Sequence, residues 1–163
     1  MFTLRPTQKL ARRLGLPKAP GFPVVTNRIA DWCVQDFQVG RYRYLLFANT
    51  ASLLPVVVHA RGAVDAATLL AAFVSGFDAA MRGRPGFGQF ERWIEPELSQ
   101  VQFASVPGRS LLGSTNDFIR MAWFHLAEGD SPAQCSQRLA RAPMGFLGMN
   151  SPERVFPKLG SGT

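Results

Sequence analysis

Arg109, Gly113, Ser114, Thr115 and Asn116 lie within Pro107–Phe118, and they form the pattern most able to do chemistry in this chain. A β-like run, Val101 to Val106, leads into the stretch, and an apolar helical pattern, Phe118 to Leu126, leaves it. Backbone N–H groups at a helix start are unpaired and carry partial positive charge, so such a strand-to-helix junction can hold an anion. The same residues equally make a cap: Ser114 as N-cap, with Asp117 three residues on, has capping-box spacing. The residues alone leave both readings open.

Two further groups suit binding. Arg41, Tyr42, Arg43 and Tyr44 interleave basic and aromatic side chains, and on a strand the arginines share one face and the tyrosines the other. Such a basic face can track phosphates while tyrosines stack on bases. The alternative puts both tyrosines in the core and leaves the arginines solvated. Phe87, Phe90 and Trp93 sit in a glycine-rich setting and form a candidate patch for a protein partner or self-association. The alternative has the three rings capping the core beneath the loop.

Catalysis has little to work with. The two histidines, His59 and His125, are far apart in sequence, and no nucleophile elbow accompanies Ser114. No His, Cys or carboxylate cluster has metal-ligand spacing, so no metal is expected. Glu91, Glu95 and Glu97 lack a second catalytic group and read as solvated. The loop Gly83 to Gly88 lacks the Lys-Ser/Thr of a phosphate-binding loop, and no cofactor is expected. The expectation is therefore no catalytic residues and a function in binding. A protein partner ranks first, a nucleic-acid phosphate backbone second and hydrolysis a distant third.

Length and composition narrow the class. A chain of 163 residues, 47% of them apolar and 13 of them Phe, is enough for one core. Its formal charge of +7 comes from 15 arginines and three lysines against 11 acids. That excess favours acidic partners, nucleic acid above all. Abundant Ala, Gly and Pro offer a second source for the bias, because codons rich in G and C also encode arginine. No run reaches the ~18–20 apolar residues of a membrane span, and Met1–Pro6 lacks the apolar core of a signal peptide. A cytoplasmic location is expected. Cys33 and Cys135 belong to no spaced pair and read as buried thiols.

The elements that must position these residues are mostly legible. Phe2-Thr3-Leu4 reads as a strand, followed by a helix from a Thr7 cap to Leu14, ended by Gly15. Leu16 to Thr26 reads as an extended connector. Strands are expected at Trp32–Phe37, Arg41–Ala48 and Leu53–His59, the last two as a hairpin around Asn49–Ser52, with Pro55 implying an edge position or a bulge. A helix over Val64–Met81 presents Leu70, Phe73, Val74, Phe77 and Met81. One helical turn is expected over Gln89–Glu95, a further helix over Thr115–Ala127, and a last one from the Ser131 cap and Pro132 to Ala140. This order predicts an α+β domain over residues 1–142, a mostly antiparallel sheet with helices packed on one face. Residues 143–163 read as a Gly/Pro/Ser-rich tail whose final residues lack fixed structure.

Three segments carry a resemblance: the opening Met1 to Leu10, the hairpin Leu46 to Val57, and Arg109 to Phe118. Together they resemble a small uncharacterised bacterial family, a domain of unknown function, over roughly Met1 to Ala127. The resemblance implies a compact bacterial domain and lends no activity, cofactor, partner or site residue. The connector after Leu16 and the segment from Ser131 fall outside the shared pattern.

Overall fold

The computed structural model describes residues 1–17 and 23–160. Strand β1 (Phe2–Pro6) leads into helix α1 (Gln8–Leu14), whose ends are both set locally. The Thr7 hydroxyl accepts from the Leu10 N–H, and Gly15 takes the left-handed conformation, φ 62°, that closes the helix. Residues 18–22 of the expected connector lie outside the described residues.

Strands β2 (Asp31–Val39), β3 (Tyr42–Asn49) and β4 (Pro55–His59) form an antiparallel meander. Val39 pairs with Tyr42 across a two-residue turn in which Gly40 has φ 59°. The next turn is held by Asn49, whose Oδ1 accepts from the backbone N–H groups of Ala51 and Ser52. Strand β1 pairs in parallel with β2, and β5 (Val101–Phe103) pairs in parallel with β1. The sheet order is β4-β3-β2-β1-β5. The fold is α+β and the sheet is mixed: its long ladders are antiparallel, but the β1 half is parallel. A helix between two neighbouring strands returns the chain to its starting end, so β1–α1–β2 pairs in parallel where a hairpin cannot.

Helices cover both faces, not one as the sequence reading expected. Trp32, Val34, Leu45, Phe47 and Val56 point to one face, under α2 (Ala66–Met81). There Phe73 meets Trp32 edge-on at 4.8 Å between centroids and Phe47 at 5.2 Å. Cys33, Phe37, Leu46, Ala48 and Val57 point to the other, under α3 (Gly108–Ala127) and α4 (Pro132–Ala140). The unbroken apolar run Leu45–Ala48 is buried throughout, as a strand covered on both sides must be. Helix α2 is also rotated from the expected face, with Leu69, Gly76 and Ala80 buried. The turn has a steric reason. A Cβ on Gly76 would stand 2.2 Å from Val58 Cγ1, so the helix backbone rests directly on β4.

β4 is an edge strand, the first of the two alternatives that Pro55 left open, and α4 lies along it. The Val57 N–H donates to Ser136 Oγ at 2.8 Å, so a side chain occupies an edge donor that another strand could otherwise recruit.

The segment read as a tail belongs to this packing through residue 160. Met144 and Phe156 are buried, the latter among Trp32 and Phe77. Gln89 Nε2 donates to the carbonyls of Phe156 and Leu159 at 3.1 and 2.6 Å. Helix α5 (Pro152–Val155) carries the chain into this anchorage. Composition misled here because two apolar anchors outweigh a background of glycine and proline. The final residues expected to lack structure, 161–163, lie outside the described residues.

Candidate functional site

The expected junction is not a helix start. Strand β5 ends at Phe103, and α3 begins at Gly108, six residues before Ser114. Leu111 is buried two turns before Phe118 and draws the earlier turn into the helix. Ser114 Oγ donates to the Ser110 carbonyl at 3.0 Å, and Thr115 Oγ1 donates to that of Leu112 at 2.9 Å. Both hydroxyls are thus bound to their own helix, and both side chains are buried. Arg109, Gly113 and Asn116 lie on the exposed face, where Asp117 pairs with Arg120 instead of capping. Asn116 Oδ1 accepts only a long, 3.5 Å contact from Gln35 Nε2. The helix period divides the five residues between opposite faces, so they form no cradle.

A different set converges at one end of the sheet. Strands β1, β2, β4 and β5 all send their carboxyl ends there, and β3 begins there. Arg13 comes from the last turn of α1, Arg41 from the β2–β3 turn, Arg43 from β3, and Arg61 from the reversal after β4. The four arginines line one groove of about 770 Å³ with Tyr42 and His59. Of the residues singled out in the sequence, Arg41 and Arg43 line this groove, and none of Arg109, Gly113, Ser114, Thr115 or Asn116 does.

A single carboxylate organises the groove. Asp36 Oδ2 accepts from Arg43 Nη1 at 2.8 Å and from Arg13 Nη1 at 2.5 Å, while its side chain is 5% exposed. Among the described residues, Arg41 and Arg61 have no acidic partner. Four guanidinium groups therefore face one buried carboxylate, and the surface field is positive. On the other side of β3, Tyr44 is buried and stacked between Phe37 at 5.6 Å and His59 at 4.8 Å. That burial pushes the Tyr44 hydroxyl pKa up, with Tyr42 adding to the effect. Tyr42 is 51% exposed and meets His59 edge-on. Of the two tyrosines, one belongs to the core and one to the groove.

The other charged pair of note is structural. Arg5 holds Asp31 through Nε–Oδ1 at 2.8 Å and Nη2–Oδ2 at 3.2 Å, and its Nη1 donates to the Ser105 carbonyl. Both residues are buried, and together they tie β1, β2 and the segment after β5.

Phe87, Phe90 and Trp93 are half-buried against the first core, with Phe90 5.3 Å from Phe77 between ring centroids. A single π-helical turn, Phe90–Ile94, carries Phe90 and Trp93, and Phe87 lies in the turn before it. Besides Tyr42 and Phe146, Trp123 and Phe124 of α3 are exposed large rings, edge-on at 5.5 Å. Among the described residues no three His, Cys, Asp or Glu side chains cluster to hold a metal, and no helix is long and apolar enough to cross a membrane.

The sequence reading missed Arg13, Arg61 and His59 as partners of Arg41 and Arg43. A signal was present: Gly15, Gly40 and Gly62 reverse the chain with positive φ, and each has an arginine within two residues. Reversals that share one end of a sheet bring such arginines together, but the strand order that makes them share it is tertiary.

A profile of the family described as Domain of unknown function (DUF6933) matches residues 3–155. The chain belongs to this family. The match runs past Ala127, through α4 and into the C-terminal segment, so those parts are no additions to the shared domain. No curated protein and no solved structure matches the chain.

Proposed function

We propose that the protein binds a phosphate-bearing polyanion, single-stranded nucleic acid, in the arginine groove. The observation that carries the reading is the convergence of Arg13, Arg41, Arg43 and Arg61 from three separate chain segments on one depression. Asp36 holds two of these arginines in place and leaves two to meet phosphate. Guanidinium groups match phosphate oxygens in bidentate geometry. Half-exposed Tyr42 supplies a face on which a base stacks, a contact indifferent to sequence.

The test is fluorescence anisotropy of a labelled oligothymidylate across a salt series. The two arginines left free neutralise two phosphates, which gives a slope of log K against log salt of about −1.4 for a single strand. The double variant Arg41→Ala/Arg61→Ala removes both of these unpaired, exposed side chains and should bring the slope close to zero. Absence of binding at low salt, or a slope that the variant leaves unchanged, refutes the reading. The absorbance ratio at 260 and 280 nm, before and after a high-salt wash, shows whether the purified protein already carries nucleic acid.

Binding of a protein partner is the second reading. Its support lies in Trp123 and Phe124, 47% and 63% exposed on the outer side of α3, rather than in Phe87, Phe90 and Trp93. Apolar association persists in high salt where phosphate binding fails, so sedimentation velocity at high salt on Trp123→Ala/Phe124→Ala separates self-association from the groove.

A further inference from the structure

We infer that a second, smaller cleft, remote in composition from the arginine groove, binds a small organic monocarboxylate with an apolar body. It lies where the end of α2, the C-terminal half of α4 and α5 meet beside the start of β4, and it encloses about 260 Å³. That is below the ~300–1,000 Å³ of sites for drug-sized molecules, so the cleft selects a smaller ligand.

Pro55, Ala80, Met81 and Ala140 give the walls an apolar character, and all four are buried in the fold. Two polar groups of the lining already have partners within the fold. Gln137 Nε2 donates to the Ala80 carbonyl at 3.1 Å. Ser136 Oγ accepts from the Val57 N–H and donates to the Pro132 carbonyl, both at 2.8 Å.

Three charged side chains of the lining remain: Arg84 from the loop after α2, with Glu153 and Arg154 from α5. None of the three has an ion-pair or hydrogen-bond partner for its side chain among the described residues, although Glu153 and Arg154 are adjacent in sequence. Two unengaged guanidinium groups against one carboxylate make the cleft net positive. Their planar donor forks match a carboxylate, and the apolar walls suit a short hydrocarbon or aromatic body. An apolar cleft with a few convergent polar groups is the usual form of a small-ligand site.

Phenylacetate is the probe, followed by chemical-shift titration of the full chain, with benzylamine as the cationic counterpart of similar shape. Phenylacetate is expected to bind with a Kd on the order of 1 mM or tighter. Benzylamine is expected to bind at least about tenfold more weakly, because its charge meets two arginines. Arg84→Ala and Arg154→Ala should each weaken phenylacetate about tenfold while leaving the melting temperature unchanged, since neither side chain holds the fold. Arg41→Ala/Arg61→Ala should leave phenylacetate binding intact, which keeps this site separable from the groove. Equal binding of the amine, unaltered affinity in both cleft variants, or loss of binding in the groove variant overturns the inference.

Discussion

Replacing Gly113 with Ala opposes the two descriptions of the Arg109–Asp117 stretch. In the structure Gly113 is an interior residue of α3 on its exposed face, its φ is not positive, and a Cβ there would meet nothing within 4 Å. Alanine then gains the helix propensity that glycine lacks, about 0.5–1 kcal/mol, with no steric term to offset it. For a domain of this size each kcal/mol moves the melting temperature by roughly 2–4 °C, so a rise of about 1–4 °C is expected by circular dichroism. A matching urea titration should show a higher midpoint at unchanged m. Gly76 of α2 is the control of opposite sign. It has the same propensity to gain, but its Cβ would fall 2.2 Å from Val58 Cγ1 and 2.9 Å from Val56 Cγ1. Overpacking of that kind costs about 1–3 kcal/mol, so Gly76→Ala should lower stability. Adding Val58→Ala should remove the main clash and recover part of the loss. A lower melting temperature for Gly113→Ala would mean that the residue is not inside a helix, and the junction description would return.

Two other perturbations probe the fold. Phe156→Ala removes a fully buried ring packed on Trp32 and Phe77, and should cost about 3–5 kcal/mol in urea unfolding; a cost within ~0.5 kcal/mol would make residues 143–160 the tail that composition implied. Burial pushes the thiols of Cys33 and Cys135 up to about 12 from an ordinary 9.0, so both should resist a thiol reagent at pH 8 until the chain unfolds. Because the folded values are the raised ones, stability should be whole below about pH 9 and fall as pH climbs toward about 12. A Cys33→Ala/Cys135→Ala variant should flatten that decline, and an unchanged alkaline slope would refute the assignment.

Local signals were legible wherever one or two residues suffice to set a conformation. Thr7 and Gly15 bound α1, Ser131 and Pro132 open α4, and Pro55 marks the edge strand. The start of α3 was misread because Ser114, Thr115 and Asp117 have capping chemistry in the wrong place. Hydroxyls that cap an exposed start also bond back to the preceding turn inside a helix, and the burial of Leu111 decided between the two. The two-sided burial of the sheet was visible in principle in the unbroken run Leu45–Ala48, which a one-faced sheet would not need.

The groove divides the same way. Sequence by itself determined that the chain is basic and that Arg41 and Arg43 lie two residues apart at the start of a strand. It also determined the α+β class, because strand and helix periods follow from the order of apolar residues along the chain. Only the tertiary structure decided that Arg13 and Arg61 join them, that Asp36 pairs with both Arg13 and Arg43, and that Tyr42 is exposed while Tyr44 is buried. Arg13 and Arg61 stand 48 positions apart, and no local rule relates them. They meet because parallel pairing of β1 with β2, and antiparallel pairing of β2, β3 and β4, bring the ends of α1 and β4 to the same end of one sheet.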